Sequence, residues 1–89
     1  MRNTVYDIAA NEMEQLLIEN NIQYTRRHLY KGWQFYIKGT YGDIICHEGS
    51  YGGNDGLWES MGFAWDDGDV SGYLTAREVI NRLKENYGM

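Results

Sequence analysis

The chain has 89 residues and a formal net charge of −5, with 13 acidic residues against 8 basic ones. That length suits one domain, so residues 1–89 are expected to fold as a single unit, and the acidic balance disfavours indiscriminate binding to nucleic acid or to an anionic membrane. A single cysteine, Cys46, excludes an internal disulfide. Because no run approaches the roughly 20 apolar residues of a membrane helix, we expect a cytoplasmic domain without a membrane segment.

Residues 4–20 have the pattern of an amphipathic helix. Thr4 and Asp7 match a capping box, and Asn20-Asn21 offers a stop. The polar side carries Glu where a membrane-surface helix would carry Lys and Arg, so the helix is expected to cover a sheet. The apolar residues at helical spacing predict its buried stripe: Val5, Ile8, Ala9, Met13, Leu16 and Leu17.

Residues 22–38 predict a β-hairpin that turns at Lys31-Gly32, because polar and apolar residues alternate on both sides of that dipeptide. Trp33, Phe35 and Ile37 form the apolar face of its second strand. A third strand, antiparallel to the second, is predicted over residues 43–47. The charged residues of the hairpin are all basic: Arg26, Arg27, Lys31 and Lys38.

The remainder predicts a short middle helix and a final helix. The middle helix begins at Asn54 or Asp55, runs through Met61 and stops at Gly62, and residues 70–74 offer a short fourth strand. A capping box at Thr75 and Glu78 starts the final helix, whose buried side is Val79, Ile80 and Leu83. The fold class is therefore α+β: a small antiparallel sheet of three to four strands, covered by N- and C-terminal helices plus the short middle helix.

Residues 39–76 contain seven acidic residues and no Lys or Arg. Because this segment is also rich in aromatic residues, its carboxylates are expected to be held on a folded surface. Fixed carboxylates can imitate nucleic-acid phosphates and occupy the basic groove of another protein. The predicted partner contacts are Glu48, Asp55, Glu59, Asp66, Asp67 and Asp69, with Tyr51 and Trp65 as aromatic anchors.

Two other functions compete with protein binding. The basic hairpin, residues 22–38, has the composition of a regulator that stacks bases on aromatic rings and pairs phosphates with Arg and Lys, although the acidic total makes nucleic acid the less favoured partner. A hydrolase or metal enzyme around Cys46 and His47 is disfavoured, because adjacent strand residues point to opposite faces. No spacing matches a calcium loop or a phosphate-binding loop, so we expect no catalytic residue, metal or cofactor.

Three runs of sequence carry a resemblance to known proteins: residues 42–52, which include Cys46-His47-Glu48, residues 56–63 around Trp58, and residues 72–79 around Thr75. Over about half of the chain they resemble small uncharacterised proteins of phages and prophages of Gram-positive bacteria. That resemblance implies an accessory or host-takeover role, of which anti-CRISPR inhibition is a prominent example. The expected function is a non-enzymatic inhibitor that binds a host protein with a basic surface, such as a CRISPR effector nuclease.

Overall fold

The computed structural model describes residues 3–89 and has two helices and five strands. This confirms the α+β class with an antiparallel sheet and terminal helices. The sheet has five strands instead of three to four, and the predicted middle helix is absent from residues 3–89. In chain order the elements are α1 (Val5–Glu19), β1 (Tyr24–Leu29), β2 (Gly32–Ile37), β3 (Asp43–Cys46), β4 (Trp58–Met61), β5 (Val70–Leu74) and α2 (Ala76–Tyr87).

The five strands form one antiparallel meander in the order β1-β2-β3-β4-β5. The β1–β2 turn is Tyr30-Lys31, one residue earlier than predicted, and both residues have positive φ, 46° and 65°. Such a turn matches the twist of the strands it joins. Gly32 is instead the first residue of β2. A glycine is required there because a Cβ would overlap the carbonyl oxygen of Cys46 on β3.

The prediction of a middle helix over residues 54–61 was wrong. Only one 3₁₀ turn, Gly53–Asp55, forms there, and it ends at Gly56 with a φ of 73°. From Trp58 onward burial alternates with the period of a strand, with Trp58 and Ser60 buried and Met61 53% exposed. Backbone pairing to β3 on one side and β5 on the other therefore decides the conformation, against the helix-like spacing of the apolar residues.

Both helices pack on one face of the sheet, and together they enclose a single core. The capping boxes predicted at Thr4 and Thr75 are present. The buried stripe of α1 differs from the prediction, because Val5 and Ile8 are 40% and 60% exposed while Ala10 is buried. The largest fully buried side chains are Trp58, Phe35, Met13, Leu17, Ile37, Ile44, Leu83 and Val79.

Candidate functional site

The sheet separates the charges of the chain by strand. Arg26 and Arg27 lie on β1, Lys31 lies in the β1–β2 turn and Lys38 directly follows β2, while most acids of residues 39–76 lie on β4 and the two loops that flank it. Of the six acidic residues predicted to contact a partner, Glu48, Asp55, Asp67 and Asp69 are exposed, Glu59 is half-buried and Asp66 is buried.

Asp66 belongs to the interior and not to the predicted contact surface. It is only 5% exposed. Its Oδ1 accepts hydrogen bonds from the hydroxyls of Ser60 and Ser71, both at 2.7 Å, and its Oδ2 accepts the N–H of Phe63 at 3.1 Å. A buried carboxylate must be compensated in this way. The carboxylate links β4, β5 and the turn between them, and it is too buried to contact a partner.

The exposed acids fall into two groups at opposite ends of β4. Glu48 and Asp55 belong to the loop of residues 47–57 that precedes β4, and Asp67 and Asp69 belong to the connection from β4 to β5. Strand β4 has four residues, so at a rise of about 3.4 Å per residue it separates the starting points of the two loops by roughly 10 Å. The two groups are two separate acidic patches.

The acidic loop also presents a pair of exposed tyrosines. Tyr51 in the loop and Tyr73 on β5 are 57% and 62% exposed, and their rings stack with centroids 6.5 Å apart and planes inclined by 29°. We call this tyrosine pair, together with Glu48 and Asp55, the exposed acids of the same loop, the tyrosine surface. Tyr73 was not predicted as a site residue, because only the pairing of β5 with the loop brings it beside Tyr51.

Tyr51 is fixed from three directions. Its N–H donates to Oε1 of Glu59 at 2.9 Å, and its carbonyl oxygen accepts the N–H of Tyr73 at 3.1 Å. Tyr51 also packs closely on the backbone of Gly72, since a Cβ on Gly72 would approach the Cβ of Tyr51 to 2.5 Å. Tyr73 itself has a φ of 58°, a strained conformation of the kind that concentrates at functional sites. Glu59 therefore positions the tyrosine surface from behind.

Trp65, the second predicted anchor, is half-buried in an aromatic cluster at the other end of β4. Its ring stacks on Phe63 at 4.3 Å with an interplanar angle of 7°, and its indole N–H donates to the hydroxyl of Ser60 at 2.9 Å. The ring of Tyr87 meets it edge-on at 6.3 Å. These contacts close the core beneath α2 and leave only part of the ring exposed.

The helix α1 occupies much of the basic hairpin that was considered as a nucleic-acid surface. The Arg26 guanidinium lies 3.9 Å from the centre of the Trp33 ring, and its Nη1 is 3.4 Å from the Glu14 carboxylate. The Trp33 indole N–H donates to Asp7 at 2.8 Å, which holds the pKa of Asp7 below its ordinary value. Arg26 and Trp33 therefore bind the helix to the sheet.

Cys46 and His47 have structural roles in the described part of the chain. Cys46 is fully buried, and burial raises the pKa of its thiol to about 11. His47 is also buried, and its Nδ1 accepts the N–H of Gly49 at 2.9 Å. Within residues 3–89 no three His, Cys, Asp or Glu side chains gather in a way that could hold a metal ion.

We expect the Cys46 thiol to be unreactive in the folded protein. Because burial raises its pKa, the reactive thiolate is scarcer near pH 8 than for an ordinary cysteine, and reagents cannot reach the sulfur. A colorimetric disulfide reagent should therefore label the native protein slowly and should titrate one thiol at once in denaturant. Rapid labelling of the native protein at about pH 8 would contradict the assignment of Cys46 to the core.

Comparisons with known proteins identify no relative: no protein-family model matches the chain, and neither does any curated protein or solved structure. None of the helices within residues 3–89 combines the length and the apolar character needed to span a membrane. The candidate site therefore rests on the geometry of the tyrosine surface and on the two acidic patches.

Proposed function

We propose that this chain is a non-enzymatic inhibitor that binds a host nucleic-acid-handling protein through the tyrosine surface. The observation that carries the proposal is the stacked, exposed pair of Tyr51 and Tyr73 beside the acidic loop. A single exposed aromatic ring is common on protein surfaces, but contiguous exposed rings mark interaction sites, and tyrosine is enriched at the residues that dominate binding energy.

The rigidity of Tyr51 strengthens the proposal. A side chain that is fixed before binding loses little conformational entropy when the complex forms. The bonds to Glu59 and Tyr73 hold the backbone of Tyr51, and its Cβ packs closely on Gly72, so we infer that the direction of the side chain is restrained before binding. We infer that Tyr51 enters a pocket on the partner and that Tyr73 contacts the partner beside that pocket.

The carboxylates give the surface its preference for a basic partner. Glu48 and Asp55 are exposed in the same loop as Tyr51, and Lys31 at 3.5 Å from Glu48 neutralises only part of that charge. Charges at the rim of an interface steer association and select the partner. Asp67 and Asp69, at the far end of β4, would act on the same basic groove at longer range, as successive phosphates of a nucleic acid do.

The nature of the target follows from charge and from the resemblance to phage proteins. A groove that binds nucleic acid offers the basic surface that this arrangement of carboxylates would occupy. The resemblance favours a bacterial defence protein, and a CRISPR effector nuclease is the preferred class. The inhibitor would act in the cytoplasm of the bacterial host, by competing with nucleic acid for its groove.

The experiment that tests this function is retention from nuclease-treated lysate of a Gram-positive bacterium, with the tagged protein immobilised and the column eluted in rising salt. We expect a nucleic-acid-binding protein to be retained, released by moderate salt and displaced by added duplex DNA. Retention of nucleic acid alone from untreated lysate would favour the basic hairpin instead. Retention of a protein that duplex DNA does not displace would contradict the competition proposed here.

The two acidic patches should contribute unequally to affinity. We expect the double substitution Glu48→Gln, Asp55→Asn to weaken binding at low salt by about 3–10-fold, since exposed charges contribute roughly 0.3–0.7 kcal/mol each, and to flatten the salt dependence. The matched substitution Asp67→Asn, Asp69→Asn lies about one Debye length away from that loop at 0.1 M salt, so we expect a change of about twofold or less. Isothermal titration at two salt concentrations measures both, and equal losses would contradict the primary role of the tyrosine surface.

A further inference from the structure

One whole face of the sheet is left without a helix in residues 3–89. We call this the open face. The cross-strand register places ten side chains on it, of which half are apolar: Thr25, Arg27, Leu29, Gln34, Tyr36, Asp43, Ile45, Glu59, Met61 and Val70. Met61 and Tyr36 are 53% and 44% exposed. An antiparallel sheet face that only meets water carries mainly polar side chains, so this composition indicates a face that is covered in use.

The charges of the open face are arranged in register. The pairs Arg27 with Gln34, Gln34 with Ile45, and Ile45 with Glu59 place these four side chains in one row across β1 to β4. The row has a cation at one end, a carboxylate at the other, and an amide and an apolar side chain between them. Such a row is complementary to itself when it is reversed.

We propose that the open face binds a second copy of this chain, with the two-fold axis parallel to the strands. A rotation of 180° about this axis places the strands of the second copy over those of the first in reverse order. Each row of one copy then lies over the same row of the other copy. Arg27 then faces Glu59 of the second copy, and Ile45 faces Gln34 of the second copy. Symmetry makes the same contacts twice, as a closed two-fold interface requires.

The neighbouring row supports the same orientation. The pairs Thr25 with Tyr36, Tyr36 with Asp43, and Asp43 with Met61 form it. Reversed, it places the Tyr36 hydroxyl over Asp43 of the second copy, where the phenol can donate to a carboxylate. Asp43 can accept that bond. Its Oδ2 already accepts a hydrogen bond from the Gln34 side chain at 2.8 Å, which leaves Oδ1 for the phenol.

The other in-plane two-fold axis, perpendicular to the strands, is disfavoured by charge. It would stack β1 on β1 and β4 on β4, so that Arg27 faces Arg27 and Glu59 faces Glu59. Like charges in apposition repel each other and disfavour that arrangement. The order of charge along the row therefore selects one symmetric arrangement.

The size of the face sets the strength of the dimer. Five strands at about 4.8 Å spacing make a sheet roughly 20 Å across, which places the interface at the small end of specific protein contacts. We therefore expect a dimer that dissociates in the micromolar range or above. The dimer is inferred without use of the proposed function, although the open face and the tyrosine surface adjoin at Glu59. The Oε1 of Glu59 accepts the Tyr51 N–H, and its Oε2 is left for Arg27 of the second copy.

Sedimentation velocity of the full chain, from about 1 µM to about 1 mM, tests the dimer. The wild-type protein should shift from monomer to dimer over this range. Arg27→Glu and Glu59→Lys should each weaken self-association at least about tenfold, because each places like charges in both symmetric contacts. An equimolar mixture of the two variants should recover dimerisation, since the heterodimer contains two attractive pairs.

The matched controls are Arg77→Glu and Glu85→Lys, which make the same charge changes at exposed positions of α2, on the other side of the sheet. They should leave self-association unchanged. Arg27 is exposed and makes no side-chain hydrogen bond or ion pair within residues 3–89, so Arg27→Glu keeps the native circular dichroism spectrum. A wild-type monomer throughout the concentration range, a dimer that survives Arg27→Glu, or a mixture that stays monomeric would each overturn the proposal.

Discussion

Asp66→Ala is expected to lower the free energy of unfolding by about 2–4 kcal/mol, although aspartate is normally a surface residue. The Asp66 carboxylate is 5% exposed and accepts three hydrogen bonds. Truncation leaves the N–H of Phe63 and two hydroxyls without their acceptor, and each unsatisfied buried group costs about 1–3 kcal/mol before the structure relaxes. Urea unfolding followed by tryptophan fluorescence measures the loss.

The matched control is Asp55→Ala, which removes the same charge from an exposed position. It should change the free energy of unfolding by no more than about 0.5 kcal/mol. If Asp66→Ala were as mild as Asp55→Ala, the buried network around Ser60 would not stabilise the fold as described. A substitution that removes Asp66, Asp67 and Asp69 together would confuse loss of folding with loss of binding, so binding experiments should leave Asp66 intact.

Tyr51→Ala is expected to weaken binding of the host partner by about 30-fold, or roughly 2 kcal/mol, which is the threshold of a binding hot spot. The reason is that Tyr51 is exposed and its backbone is held before binding, so the complex gains its buried area at a reduced entropic cost. Surface plasmon resonance with the partner immobilised measures the loss, which should appear mainly as faster dissociation.

Tyr41→Ala is the matched control for that experiment. Tyr41 is 99% exposed, and it lies in the β2–β3 connection, at the opposite end of the sheet from the tyrosine surface. It should leave the affinity unchanged. If Tyr41→Ala and Tyr51→Ala caused equal losses, exposure of an aromatic ring alone would explain binding, and the tyrosine surface would lose its special role.

The elements that the sequence predicted correctly depend on local chemistry. The two capping boxes begin at Thr4 and Thr75, because a Thr hydroxyl and an acid three residues later satisfy each other's backbone N–H. The hairpin follows from alternation over a few residues on each side of Tyr30-Lys31. Neither signal needs information from a distant part of the chain.

The errors arose where a distant contact decides the outcome. Leu57, Trp58 and Met61 have spacing that fits a helix, but two neighbouring strands pair with β4 and make it a strand. Asp66 looks like part of a solvated acidic turn, yet Ser60 and Ser71, on different strands, draw it inside. Composition cannot show either effect.

The candidate site follows the same division. Exposure of Glu48, Asp55 and Tyr51 was predictable from a glycine-rich acidic loop. Their separation from Asp67 and Asp69 depends on the position of β4 between the two loops. The contribution of Tyr73 depends on β5 as the last strand of the meander, where its N–H binds the carbonyl oxygen of Tyr51.

The measurement that tests the central claim most directly is competition for the captured host protein. A fluorescently labelled nucleic acid is first bound to that protein, and its anisotropy is followed while the inhibitor is added. We predict that the wild-type chain displaces the nucleic acid completely and that Tyr51→Ala needs about 30-fold more protein to do so. A ternary complex, in which the host protein holds both the inhibitor and the nucleic acid at undiminished anisotropy, would contradict the account.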